Sequence, residues 1–313
     1  QYQLTEEYQT IARPYSEIYS ISRVIYNTPS RRFNMEDFQG LTNEQAEQFY
    51  ILRRERQVQA IEGTRMSDRA KEKVLALDVG VETPFTFAYT DGYTRFYTIM
   101  YTTGIIAAFV MAICIAPLFS GEYACGADQL ILASKHGKRK LIRAKLFTGF
   151  SMTGLFCLAL TGITYFICML TYGFDGADAP LQLYTPMCPY PLTMGGTALL
   201  MAVCIFFACM LTAAITMMLS AKFKSPFGVI VLVDLILVVP MLLSVSDANI
   251  WLHNLYNLLP TNMMALWTVT EVIQYELFGL VVRPYVFLPL FAAVLSILLT
   301  PLAYHSFKNH QIV

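Results

Sequence analysis

Five stretches of the chain, roughly 98–119, 146–173, 194–221, 227–246 and 285–307, are each 20 to 28 residues long and almost free of charge. A helix needs about 20 mostly apolar residues to cross the hydrocarbon core of a bilayer, because in lipid every backbone N–H and C=O must be paired inside the structure. Composition agrees: 313 residues that are 56% hydrophobic and 14% charged, with mean hydropathy +0.49, leave too little polar surface to cover soluble domains. Charge is also uneven, since residues 1–98 hold 12 of the 22 Lys/Arg and 14 of the 22 Asp/Glu. The expected fold is therefore an all-α polytopic membrane protein, with a polar helical domain over 1–97 and a transmembrane domain over 98–313. Ser225 and Pro226 mark the start of the fourth span, as N-cap and first helical residue.

Basic residues near span ends set the orientation. The loop 120–145 holds Lys135, Lys138, Arg139, Lys140, Arg143 and Lys145, and the third-to-fourth loop holds Lys222 and Lys224, so both are expected to face the cytoplasm. The segment 174–193 has Asp175 and Asp178 and no base, and 247–284 has only Arg283, so both are expected outside. This alternation makes 1–97 extracytoplasmic and the C-terminus, with Lys308, cytoplasmic, in a multi-pass protein of the plasma (cell) membrane. An exported head that begins at Gln1 without an apolar leader implies a further, N-terminal transmembrane helix missing from the five visible ones, giving six. The stretch 250–269 is apolar enough to span, but Pro260 and the amide-rich set His253, Asn254, Asn257 and Asn262 favour a re-entrant or interfacial helical pair within the outer region 247–284.

In the head, Leu4, Tyr8, Ile11, Tyr15, Ile18 and Ile25 form one helical stripe, interrupted at Ser22 and open to a kink at Pro14. Thr42 and Gln45 have capping-box spacing before a helix through Ala46, Phe49, Tyr50 and Ala60, and a third helix is expected over about 67–77. The aromatic segment 83–96, with an Asp91-Gly92 turn, is read as an elbow. Tyr and Ile packing explains the head; a receptor-like lid is the alternative.

Several function classes are excluded. A formal net charge of zero gives no basic face for nucleic acid. The seven cysteines lie almost all in apolar runs without a Cys-x-x-Cys pair, and the four histidines are scattered, so no metal site and no catalytic residue is expected. One acid, Asp234, sits inside a span, where an ionised carboxylate is costly and must face the bundle or a wet cavity. It is either a site for a cation or proton on a translocation pathway or a packing hydrogen bond, with Thr161, Thr164, Tyr165, Thr212 and Thr216 as candidate neighbours.

The stretch 119–145, FSGEYACGADQLILASKHGKRKLIRAK, leaves the membrane at Glu122, forms a short helix exposing Leu130, Ile131 and Leu132, breaks at Gly137 and re-enters through a basic run. It resembles the first cytoplasmic loop of ATP-binding-cassette (ABC) transporter permeases of the second exporter class. That pattern is an acid, a small residue, a Leu-rich patch, a Ser, a basic turn and a Lys at the next span, and here Glu122, Gly126, Leu130, Leu132, Ser134, Arg139 and Lys145 take those places. It departs where many members have Pro near Lys135 or Thr near Ala127. A short amphipathic helix held off the membrane by two spans can seat Leu130, Ile131 and Leu132 in a groove of a cytoplasmic partner; the alternative is a helix lying in the headgroups.

The chain has no Gly-x-x-x-x-Gly-Lys-Ser/Thr loop to cradle ATP phosphates, so no cofactor bound by this chain is expected. The resemblance implies two permease halves assembled with two copies of a cytoplasmic ABC ATPase that holds ATP and Mg. The second half is another copy or a homologous permease, and the complex exports a drug, antimicrobial peptide, lipid or ion. Two other classes stay open: a proton-coupled secondary transporter using Asp234, and a membrane sensor or scaffold with a ligand-binding head.

Overall fold

The computed structural model describes residues 16–28, 31–134 and 137–309. Leu4, Tyr8, Ile11, Pro14 and Tyr15 of the expected stripe, with Lys135, His136 and His310, lie outside them, as do the side chains of Leu132 and Lys138. The chain is mostly helical and divides into two compact units. One takes in the residues up to Arg95 together with Cys168–Ala198 and Thr270–Val281; the other takes in Phe96–Ile167, Leu199–Val269 and the chain from Val282 on.

In the first unit, α1 (Ser16–Tyr26) turns Ile21, Ser22 and Ile25 inward. α2 (Met35–Gln39) and α3 (Asn43–Glu47) both start in capping boxes, the second of them the expected Thr42–Gln45 pair. The single helix expected from Thr42 is broken at Gln48, and α4 (Phe49–Gly63) follows. α5 (Asp68–Val79) is capped by the Ser67 hydroxyl. Aromatic rings fill the space between these helices: Phe33 lies 5.2 Å from Tyr26, and Tyr50 meets Phe85 edge to face at 5.2 Å.

A buried polar network joins these helices to the other segments of the unit. Arg53 and Asp78, 3% and 6% exposed, pair at 2.9 Å, and Arg53 also donates to the carbonyls of Pro186 and Cys188. Its guanidinium lies over the Phe85 ring. The Tyr190 hydroxyl donates to the Glu271 carbonyl at 2.6 Å and accepts from Gln274 Nε2. Charges this deep in a fold must be paired, and the pairing draws the segments around 186 and 271 into the polar unit.

The second unit is built from long apolar helices. α6 (Asp91–Ile115) starts seven residues before the expected span, because Asp91 and Gly92 open the helix instead of turning. A Cβ on Gly92 would meet the Gly173 carbonyl at 2.3 Å, so this glycine permits a close backbone approach. α7 (Pro117–Ala124), α8 (Ala127–Ala133) and a π-helical turn (Gly137–Leu141) lead into α9 (Ile142–Tyr172), followed by α10 (Met194–Lys222) and α11 (Pro226–Leu242). α11 starts as expected, with Ser225 accepting from the Gly228 amide and Pro226 in the first turn.

Among the described residues four helical stretches are long and apolar enough to cross a membrane, Asp91–Cys125, Arg139–Tyr172, Met194–Lys222 and Pro284–Lys308, where five were expected. The expected fourth, 227–246, ends at Leu242: Pro240 lacks the N–H that would continue the ladder and Leu243 is extended. Its 17 residues reach about 25 Å at ~1.5 Å per residue, short of the ~30 Å hydrocarbon core.

The region 247–284 holds three short helices, α12 (Ile250–Asn257), α13 (Pro260–Met263) and α14 (Leu266–Val269), the longest of eight residues. Its amides and imidazole find partners within the protein. Asn257 Nδ2 lies 3.0 Å from His253 Nε2, Asn262 donates to the Tyr256 carbonyl, and Thr261 donates to the Leu237 carbonyl of α11. The chain is mostly helical, as expected, and also carries a small hairpin, β1 (Tyr275–Leu277) and β2 (Leu280–Val282), turning through Phe278 and Gly279, both at positive φ. α15 (Pro284–Lys308) is the last helix.

The outer surfaces of these helices are apolar. On α11 Val229, Val233 and Leu237 are buried, while Phe227, Val231, Leu235, Val239 and Leu242 form an exposed row on the other side. On α15 Val286, Leu290, Val294, Ile297 and Leu298 are likewise exposed. Continuous exposed apolar faces of this extent belong against lipid, which makes this a helical membrane protein.

Breaking the Arg53–Asp78 pair from one side, by Arg53→Met, leaves a buried carboxylate without its cation, takes the Arg53 donor from the Pro186 carbonyl and is expected to lower stability by about 3–5 kcal/mol. Chemical denaturation in detergent measures it; a loss under about 1 kcal/mol, the range of an exposed pair, contradicts the network.

Candidate functional site

The site begins at a helix break. Pro117 has no N–H to donate into the preceding turn, so the amides of the first turn of α7 need an outside acceptor. Ser220 of α10 supplies it. Its Oγ accepts from the Phe119 and Ser120 amides, both at 3.0 Å, and donates to the Ala116 carbonyl at 2.6 Å, using the hydroxyl's one donor and both acceptor positions. The helix cap therefore comes from a neighbouring helix, and all these groups are buried.

One turn on, Glu122 forms an ion pair with Lys145 of α9. Both side chains are mostly buried, and Lys145 also donates to the Leu118 carbonyl. Its ammonium stands 5.3 Å from the Phe119 ring centre and 5.9 Å from that of Phe307, a cation–π cradle. Tyr123 stacks on Phe307 and donates to the Ala221 carbonyl at 3.0 Å. The two ends of the loop, twenty-three residues apart, are thus clasped against α10 and α15. Glu122 Oε2 is buried and has no hydrogen-bond partner among the described residues.

The remaining loop residues divide by environment. Gly126, at φ 70°, turns the chain between α7 and α8; there is room for a Cβ, so the backbone conformation is what selects glycine. On α8 Leu130 is 79% exposed, whereas Ile131 turns inward and packs against the cluster of Ile115, Phe119, Ile142 and Met217. The expected trio of outward anchors is thereby reduced, since Ile131 serves the protein's own core. Ser134 closes α8 by donating to the Ile131 carbonyl at 2.8 Å. Arg139 is exposed on the π-helical turn.

The intramembrane candidates do not gather. Asp234 is half-buried and its Oδ1 has no hydrogen-bond partner among the described residues. Thr164, Thr212 and Thr216 donate to carbonyls four residues back in their own helices. Tyr165 packs edge to face on Phe96, and Thr161 neighbours the Cys157 thiol.

Sequence reasoning missed Ser220, Tyr123 and Phe307. An acid and a base at the two ends of one loop were the available signal for the clasp; nothing in the sequence pointed to the other three. Compared with known proteins, the chain matches no family model, no curated protein and no solved structure.

Glu122→Gln and Lys145→Met are each expected to lower stability by about 1–3 kcal/mol, between the values for exposed and fully buried pairs. In a double-mutant cycle followed by denaturation in detergent, the double variant loses less than the sum; simple additivity contradicts the clasp.

Proposed function

We propose that this chain is the permease subunit of an ABC exporter of the second class. Its membrane helices move in response to a separate cytoplasmic ATPase and carry a drug, antimicrobial peptide, lipid or ion outward. In this reading the complex holds two permease halves and two ATPase subunits, ATP and Mg sit in the ATPase, residues 1–97 lie outside, and the loop 120–145 and the C-terminus lie in the cytoplasm of a plasma-membrane protein.

The observation that carries the reading is the clasped loop. Glu122 and Lys145 tie α7 to α9, Ser220 ties α7 to α10, and beyond this braced base the seven-residue α8 presents Leu130 to solvent. A short helix on a stiff base is suited to transmit displacement: a partner groove that grips Leu130 would move α7 and α9 together. Within this mechanism Glu122 and Lys145 are positioning residues, Gly126 sets the direction of α8, Ser134 ends it, and Arg139 offers a charge to the partner.

A second reading rests on Asp234, one of whose carboxyl oxygens is buried in an apolar helix with no hydrogen-bond partner among the described residues. A proton-coupled transporter needs such a group, and Asp234 could serve it without any ATPase.

Because Leu130 is so exposed, Leu130→Asp should leave the fold intact. An affinity-tagged chain purified from native membranes is expected to bring down an ATPase with nucleotide-binding motifs, and Leu130→Asp is expected to lose at least about tenfold of it, the ~1.4 kcal/mol of one anchor. Equal recovery with the variant contradicts coupling through α8. Flux that needs no ATPase and stops in Asp234→Asn favours the second reading.

A further inference from the structure

Part of the aromatic surface of the first unit is open. Among α1, α2, α3 and α4 lies a cavity of about 270 Å³, walled by the rings of Tyr26, Phe38, Phe49, Tyr50 and Phe87. Phe49 meets Tyr50 edge to face at 5.0 Å and stands 6.1 Å from Tyr26, so the wall already holds rings at the spacing that aromatic pairs prefer. Ile18 and Ile21 complete the α1 side, and among the described residues no Asp, Glu, Lys, Arg or His lines the space.

Hydroxyls are the polar groups of this wall. Tyr26 spends its own on the Gln45 carbonyl, at 2.7 Å. Ser22, the residue that breaks the apolar stripe of α1, is 6% exposed and lines the cavity. Buried hydroxyls elsewhere in the chain's helices, Thr212 and Ser296 among them, donate to the carbonyl four residues back. Ser22 makes no hydrogen bond among the described residues. Unlike the amide of Gln57, which is sealed inside the unit, its Oγ keeps access to the space it lines. A hydroxyl this deep without a partner costs free energy until a ligand or water supplies one. The Tyr50 hydroxyl accepts from the Phe85 amide at 2.8 Å, and its proton has no acceptor among the described residues.

The lining selects an occupant. An ion would lose its water here and meet no opposite charge. A flat apolar body finds aromatic faces, and one hydrogen-bonding group finds Ser22 and Tyr50. The volume exceeds the ~150 Å³ of an apolar cavity that accepts one benzene molecule and falls just below the ~300–1,000 Å³ of sites for drug-sized ligands. We propose that this cavity binds a small neutral aromatic compound of one or two rings that carries a hydroxyl, its rings among Tyr26, Phe49 and Tyr50 and its hydroxyl on Ser22. The site lies wholly within the first unit and is independent of the coupling loop and of the transport reading.

The test uses the full chain in nanodiscs of zwitterionic lipid, dialysed to equilibrium with 2-naphthol, with uptake by empty nanodiscs of the same lipid subtracted. Saturable binding is expected, about three- to tenfold tighter than that of naphthalene, the worth of one hydrogen bond, and at least tenfold tighter than that of the cation 2-naphthylmethylammonium. Ser22→Ala is expected to remove the advantage of 2-naphthol over naphthalene, a difference that a loosened fold does not produce. Ala46→Trp, at an exposed position on the rim, is expected to keep the wild-type elution profile, fill the cavity and abolish binding of both. No saturable binding by the wild type, equal or tighter binding of the cation, an unchanged preference for 2-naphthol in Ser22→Ala, or wild-type binding by Ala46→Trp each overturns the proposal.

Discussion

A helix with apolar side chains on the face turned to its neighbours and again on the opposite face has no stable place in water. α11 is such a helix: Val229, Val233 and Leu237 pack inward while Val231, Leu235 and Val239 look out at the same spacing. Lipid removes the cost of the outward row and removes water as a partner for every backbone group as well. The other features of this unit follow from that double condition. Chain breaks occur, and at two of them a side chain from elsewhere supplies the partner: Ser220 at the Pro117 break, and Thr261 and Tyr256 on the carbonyls of Leu237 and Pro240 at the end of α11.

The same condition explains why the Glu122–Lys145 clasp is so elaborate. A lysine at the end of a span is expensive unless paired, and Lys145 has a carboxylate, a carbonyl and two aromatic faces. With that many partners its position is fixed, and the ends of α7 and α9 are held together with it. The exposed Leu130 then stands on a rigid mount, which is the property a handle between a membrane helix bundle and a soluble engine would need.

What could be read from the sequence was whatever a residue states by its own chemistry. The apolar runs announced their solvent, Ser225-Pro226 announced a helix start, and Thr42 with Gln45 announced a cap. Features decided by a distant partner stayed hidden. Asp91-Gly92 reads as a turn, yet it opens α6, and the Gly173 backbone lies where a side chain at 92 would have to go. The hairpin at 275–282 lacks an Asn-Gly turn and uses Phe278 at positive φ instead. Leu130 and Ile131 are alike in sequence, and only packing sends one out and the other in. The residue types at 122 and 145 were legible; that they meet was not.

Coupling through this loop requires it to lie on the cytoplasmic side of the membrane, and the chain carries its own probe. Cys125, exposed between α7 and α8, is accessible to a charged, impermeant maleimide, whereas the other exposed thiol, Cys114, lies in the apolar part of α6. In sealed vesicles of known orientation, with Cys125→Ser as control, labelling is expected in inside-out vesicles and absent in right-side-out ones. Labelling of Cys125 from the outer face would contradict the loop as a cytoplasmic coupling element.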